Sequence, residues 1–211
     1  MAEKGKRITL LKAAEAEIEE KKSIFIGYAS PVSSEEEAKE IIQAKKKEFA
    51  DATHNVWAYY LDEGIHVRYS DDGEPQGTAG MPVLNVLKMS GATDMCVVVT
   101  RYFGGTLLGA GGLVRAYSAA AKAALDAAGF AYMENYTLFR LTVNYSDHQR
   151  LADKLPKIGA IIDNTEFGGD VVLHLAIESA REEEIAPVVS EITNGKGLLE
   201  IVGIEERASK I

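Results

Sequence analysis

The chain has a single cysteine, Cys96, in 211 residues, and that scarcity removes two chemistries. No disulfide can form within it, and no thiolate cluster can hold zinc. Cys96 lies inside an apolar run and is expected to be inert packing. No apolar stretch approaches the roughly 20 residues of a membrane-spanning helix, so no membrane partner is expected. Met1-Ala2-Glu3-Lys4-Gly5-Lys6-Arg7 has no apolar segment behind it, which argues against a signal peptide and for a cytoplasmic protein. Positive charge is also short: 23 Lys and Arg against 32 Asp and Glu leave a net charge of -9. That excludes a general nucleic-acid coat, which needs a basic surface, and leaves room only for a local basic patch. His148 and His174 have no His or Cys partner at ligand spacing, so no metal and no cofactor is expected.

What the chain does have is concentrated between Cys96 and Tyr117. Cys96-Val97-Val98-Val99-Thr100 is a β-branched run bounded by glycines, the pattern of a strand buried on both faces. Arg101-Tyr102-Phe103-Gly104-Gly105 leads out of it. After Gly109-Ala110-Gly111-Gly112, apolar residues recur at helical spacing through Leu113, Tyr117, Ala121 and Ala124. Strand, glycine loop and helix therefore follow one another, with Arg101 leaving the strand and Arg115 early in the helix. Free N–H groups at the helix start and two guanidinium groups suit an anion. A P-loop is excluded, because Ala110-Gly111 stands where Lys and Ser/Thr must follow Gly109. A dinucleotide fingerprint fails as well, for want of the third spaced glycine. The alternative is that Gly104, Gly105, Gly109, Gly111 and Gly112 serve only a tight turn and close packing.

The length suits one large or two small domains, and the pattern shows two that divide near Tyr132–Tyr136, giving residues 1–133 and 137–211. The second half reads strand (138–144), helix (147–158), strand (160–166), strand (170–178), helix (180–194) and strand (198–206). That βαββαβ order is ferredoxin-like. Ser146-x-x-Gln149 and Ser179-x-x-Glu182 read as capping boxes, Gly168-Gly169 as a hairpin turn, and Pro187 as a bend in the second helix. Phe139, Leu141, Val143, Leu173, Leu175 and Ile177 should lie under the helices. The other face, with Arg140, Thr142, Asn144 and His174, offers no aromatic for base stacking.

The first half opens with two extended stretches, Ile8–Ile18 and Ser23–Val32, joined by a solvated Glu19–Lys22 turn. A helix is expected from Ser34 to about Phe49, its acids first and its lysines last, as the helix dipole favours. Strands at 51–60 and 65–69 form a hairpin across Asp62-Glu63-Gly64. An acidic loop, Ser70–Gly80, then precedes a helix that starts near Met81-Pro82. Asp71, Asp72 and Glu74 can hold a hard cation or poise a general base there, or simply form turns and favour the helix start. Calcium-loop spacing is absent. Gly77-Thr78-Ala79-Gly80 also fits a GXXG backbone clamp, a weak signal on its own.

Taken together, Asp51–Tyr59, Asp71–Pro75, Gly77–Gly80 and the run from Val99 to Tyr117 resemble the IMPACT family in its bacterial form, over the whole chain. The resemblance implies an α+β protein of two domains. The N-terminal one is similar to domain 2 of a small-subunit ribosomal protein, with a left-handed βαβ crossover. The C-terminal one is similar to domain V of elongation factor G. Val56 departs from the family, in which Cys is frequent. Eukaryotic members regulate translation by competing for a kinase activator and carry an extra N-terminal domain for which this chain has no room.

Three functions remain open. A non-enzymatic, translation-associated protein would meet phosphate of the ribosome or of structured RNA through Arg101, Arg115 and the glycine loop. A regulator would bind a translation-associated protein. An enzyme would act on an anionic small molecule with His54 as acid–base, supported by Asp71, Asp72 or Glu74, with Thr78 in the same pocket. A pocket joining His54 to an acid favours the last, and an open basic groove favours RNA. Oligomeric state is not legible.

Overall fold

The structure, a computed structural model, describes residues 7–210. The charged N-terminus, Met1 to Lys6, lies outside that range. Two compact units divide the chain: one runs to Met133 and includes the chain's end from Ala208, and the other is Glu134–Arg207.

The first unit runs β1 (Ile8–Leu10), β2 (Ala14–Glu20), β3 (Ser23–Pro31), α1 (Glu35–Glu48), β4 (His54–Leu61), β5 (His66–Ser70), α2 (Gly80–Met89), β6 (Met95–Tyr102) and α3 (Ala110–Ala128). Five strands form a sheet in the order β2-β3-β6-β4-β5, every neighbouring pair antiparallel. Strands β3 and β4 both oppose β6, so β3–α1–β4 is a parallel crossover with β6 inserted between its strands. This central place explains the β-branched run. Met95, Val97 and Val99 face the core made with α2 and α3, while Cys96 and Val98 face the core made with α1. A strand buried on both faces has no polar alternate to show.

The expected stretch Ile8–Ile18 is split. Its first residues pair with Phe130–Tyr132 and its later ones with β3, so the chain passes from one sheet to another at Leu11–Ala13. Lys21 and Lys22 close the β2–β3 hairpin with φ of 48° and 67°, the two positive values a type I′ turn requires. Ser34 caps α1, accepting the Glu37 N–H at 3.2 Å.

The second unit contains most of β7 (Phe130–Val143), then α4 (Tyr145–Lys154), β8 (Ile161–Phe167), β9 (Val171–Glu178), α5 (Ile185–Thr193) and most of β10 (Leu198–Lys210). With β10 beside β7, the strand order is β10-β7-β9-β8, as the βαββαβ reading requires. Phe139, Leu141, Val143, Leu173, Leu175 and Ile177 are buried against Leu151, Leu155, Ile185 and Val189 of the helices. Neither capping box forms. Asn144 caps α4 instead, its side chain accepting the Asp147 N–H at 2.9 Å, because the helix starts before Ser146. Ser179 opens a 3₁₀ segment, Ser179–Glu184, and its hydroxyl bonds Thr137 at 2.9 Å. Pro187 bends nothing: α5 begins at Ile185, so the proline sits in the first turn, where no N–H is needed.

Candidate functional site

Arg101 is the last residue of β6 on the face that carries Met95, Val97 and Val99. Register sets Phe25 of β3 on one side of it and His54 of β4 on the other. The alternation of a strand thus turns a guanidinium into the core, a correction to the expectation that Arg101 leaves the strand. Arg101 is only 5% exposed. Its Nη1 donates to Glu74 Oε1 at 2.5 Å, and its Cζ lies 5.4 Å from the Phe25 ring centre. Tyr117 of α3 donates to the same Glu74 oxygen at 2.8 Å. Burial first, and then the Glu74 charge, push the Tyr117 hydroxyl well above the usual tyrosine range, so it stays a donor. Arg101 Nε is buried and finds no acceptor among the described residues. An unmet buried donor costs about 1–3 kcal/mol.

His54 meets Glu74 from the other side. Its Nδ1 lies 2.8 Å from the Asp72 carbonyl oxygen, which can only accept, so Nδ1 carries the proton. In the neutral ring Nε2 then presents its lone pair, 3.8 Å from Glu74 Oε2. Of the three loop acids only Glu74 joins His54. Asp71 caps α2, accepting N–H groups of Gly77, Ala79 and Gly80 at 2.9, 3.1 and 2.8 Å. Asp72 takes the Asn55 N–H at 2.7 Å and Lys46 at 2.5 Å. Thr78 donates to the Pro75 carbonyl at 2.6 Å, which closes the turn and leaves no hydroxyl proton for a ligand. Among the described residues no three His, Cys, Asp or Glu side chains are grouped to hold a metal.

The glycine loop divides by role. A Cβ on Gly104 would stand 2.0 Å from the Lys22 backbone, so this glycine permits close packing on the β2–β3 hairpin. Gly109, with φ of 70°, turns the chain into α3. The first N–H paired at the head of α3 is that of Leu113, to the Gly109 carbonyl at 2.9 Å. No side chain caps this helix, and the N–H groups of Ala110, Gly111 and Gly112 have no acceptor among the described residues. Such a head carries partial positive charge. Arg115 is exposed and unpaired among the described residues, five positions past Ala110. At about 100° per residue it stands on the solvent side, away from Leu113. The two arginines therefore do not converge.

What does converge is a cleft of about 470 Å³. Arg101, Glu74, His54 and Thr53 line its polar side, Phe103, Leu107, Leu108 and Leu113 its apolar side, and Gly109 and Ala110 bring in the head of α3. Tyr117 and Phe103 join this neighbourhood with little local signal: Tyr117 reads as apolar helix face, and only its hydroxyl at a core position hints at a buried acceptor.

The sequence matches the Impact N-terminal domain over residues 21–125 and a domain of unknown function, DUF1949, over residues 141–196. It is 38% identical to the IMPACT family member YvyE of Bacillus subtilis, across 89% of this chain and 87% of that one. It is 33% identical to the IMPACT family member YigZ of Escherichia coli, across 88% of this chain and 92% of that one. A crystal structure titled only as a hypothetical protein superposes with a TM-score of 0.59 at 30% identity, over 94% of this chain and 98% of that one. The chain belongs to the IMPACT family.

Proposed function

We propose that this protein is a translation-associated binder of structured RNA, on the ribosome or off it, and that it meets RNA phosphate at the head of α3. The observation that carries the reading is the set of three N–H groups at Ala110, Gly111 and Gly112, uncapped and without acceptors among the described residues. Glycines there let a phosphate approach the backbone closely. Exposed Arg115 adds a cation on the same helix, and the half-exposed Phe103 offers a ring to an unstacked base. Arg101 is not one of the phosphate contacts in this reading, because Glu74 already neutralises it. The cleft does join His54 to Glu74, as the enzyme reading asks, but that carboxylate is already engaged by Arg101 and Tyr117. The acidic surface of the rest of the chain keeps the contact local.

The test is RNA or ribosome binding against ionic strength. Affinity should fall with salt, with a shallow slope of about 0.7–0.9 per phosphate contacted. Arg115→Ala should weaken binding to all sequences alike, since phosphate contacts do not read bases. Ala110→Pro should also weaken it while the fold holds, because it deletes one donor at the helix position that best tolerates proline. Salt-insensitive binding would point to a protein partner, and absence of binding at low salt overturns the proposal.

A further inference from the structure

We propose that β10 is a pairing edge, along which two copies of this chain join antiparallel into one continuous sheet, about a two-fold axis through Ile201. The proposal goes beyond RNA binding and does not rest on it, since the residues that form the joint belong to the second unit.

The observation behind it is a contrast among the sheet edges. β1 is three residues long and β5 is five. β2 carries Glu15, Glu17 and Glu19 at alternate, exposed positions. β8 is interrupted by a register shift between Ile162 and Asn164 and bears Asp163 and Glu166, with its exposed Ile161 and Phe167 at the two ends. Short length, charge and bulges are the ordinary means by which an edge is kept from pairing. β10 is different. It is 13 residues long and pairs only with β7 among the described residues, so its outer N–H and C=O groups meet no strand. Leu198, Ile201, Val202 and Ile204 stand along it 57%, 63%, 57% and 66% exposed. Glu200, the one acid in that stretch, lies 3.6 Å from Arg140 of β7, which offsets its charge. A β-prone, exposed run of this kind is a template for another strand.

The charges select a second copy as that strand. When a two-fold axis normal to the sheet relates two antiparallel strands, directly opposite residues share a face and one residue meets its own copy. Centred on Glu200, the pairing sets carboxylate against carboxylate, and centred on Gly203 it sets Glu200 against Glu206. Centred on Val202, it sets Glu200 on Ile204, Glu205 on Leu199 and Glu206 on Leu198. Centred on Ile204, it sets Glu206 on Val202 and Arg207 on Ile201. Centred on Ile201, the pairing has none of these faults. Ile201 meets its own copy, Leu198 meets Ile204, Leu199 meets Gly203 and Glu200 meets Val202. Just outside that ladder, exposed Lys196 stands opposite Glu206, and Glu205 stands opposite Gly197. Apolar residues then meet at the middle, and no like charges are directly opposed. β2 fails the same test, because pairing about its own middle sets Glu15 against Glu19 and Glu17 against itself. A single edge ladder buries less surface than a standard interface of roughly 1,600 Å², so the dimer should come apart on dilution.

The experiment is sedimentation of the full chain over a range of concentrations reaching about 1 mM. The mass should rise from one chain to two. Ile201→Lys and Ile201→Glu should each raise the dissociation constant at least about tenfold, because like charges then face each other on the axis. Mixed in equal amounts, the two variants should associate again, since a lysine then faces a glutamate at the same point. Lys196→Glu lies in the turn ahead of the strand and sets an acid against Glu206. It should weaken the dimer by a smaller factor, and it serves if the Ile201 variants do not fold. A chain that stays monomeric at every concentration overturns the inference. So does a dimer that none of the three substitutions weakens, or a mixture that associates no better than either Ile201 variant alone.

Discussion

The two units bury polar groups differently. The first holds a full ion pair in its interior, Arg101 with Glu74, together with Asn55 and Thr100. In the second, the buried polar residues are Thr137 and Thr193, both neutral, and its ion pairs lie at the surface. A buried pair gains little over well-packed apolar residues of the same volume, because desolvation offsets the attraction. Its presence in one unit and absence from the other argues that the first is built around a site and the second around packing.

The comparison breaks most visibly when one member of the pair is removed. Arg101→Met should destabilise the first unit by about 3–5 kcal/mol, since it strands the Glu74 carboxylate in the core. The single tryptophan, Trp57, lies in that unit and reports its unfolding in denaturant. Replacing both residues, Arg101→Met with Glu74→Leu, should restore most of the loss, because no buried charge is then left unpaired. Removing Arg207 from its pair with Asp163 in the second unit should cost no more than about 1 kcal/mol, as for partly exposed pairs generally. Equal losses at the two arginines would contradict the contrast.

High pH should separate the units next. Burial pushes the Cys96 thiol up to about 12. Burial and then Glu35 push the Tyr59 hydroxyl up to about 12, and Tyr117 rises too. All three groups belong to the first unit. Each holds its proton longer folded than unfolded, so the unfolded state binds fewer protons above about pH 9 for a thiol and about pH 10 for a phenol. The contribution of Cys96 and Tyr59 is fully present below those values and is lost as pH rises through 12. Trp57 fluorescence should show alkaline unfolding in that window, and Tyr59→Phe should reduce the slope at its upper end. A slope unchanged by the substitution would show that Tyr59 does not contribute.

The sequence made some of this legible and hid the rest for a physical reason. Cys96–Thr100 announced a central strand because burial on both faces leaves an unbroken β-branched run. Phe139, Leu141 and Val143 announced a one-sided sheet because only one face is covered. Arg101 and Glu74 are 27 positions apart, and nothing local requires them to meet; only the β6 register and the Asp71-capped turn bring them together. The same limit explains His54, which reaches Glu74 but neither of the other loop carboxylates. It explains the cap of α4 too: Ser146 and Asn144 both satisfy a local rule, and packing of the helix decided between them.

The caps give a smaller contrast between the units. Asp71 accepts three backbone N–H groups around the start of α2, whereas Asn144 accepts one at the start of α4. Asp71→Ala should therefore cost toward the upper end of the roughly 0.5–2 kcal/mol range for caps, and Asn144→Ala about 1 kcal/mol or less. Unfolding followed unit by unit, with Trp57 fluorescence for the first and amide hydrogen exchange of α4 for the second, checks the order. The reverse order would mean that the acidic loop is held by something other than Asp71.

The smallest effect tests whether the head of α3 is kept for binding or for folding. Gly111 has an ordinary negative-φ backbone, and a Cβ built there meets no atom within 4 Å. Nothing in the fold requires glycine, and in a helix glycine is worse than alanine by about 0.5–1 kcal/mol. Gly111→Ala should therefore stabilise the first unit by about that amount, whereas Gly104→Ala should destabilise it, because its Cβ would collide with the Lys22 backbone. If the N–H groups of Ala110–Gly112 seat a phosphate, the added methyl crowds it, and the more stable variant binds RNA less well. A gain in stability with unchanged affinity would show that the ligand does not approach the helix head at Gly111. A loss of stability would show that the glycine has a packing role the open space around it does not reveal.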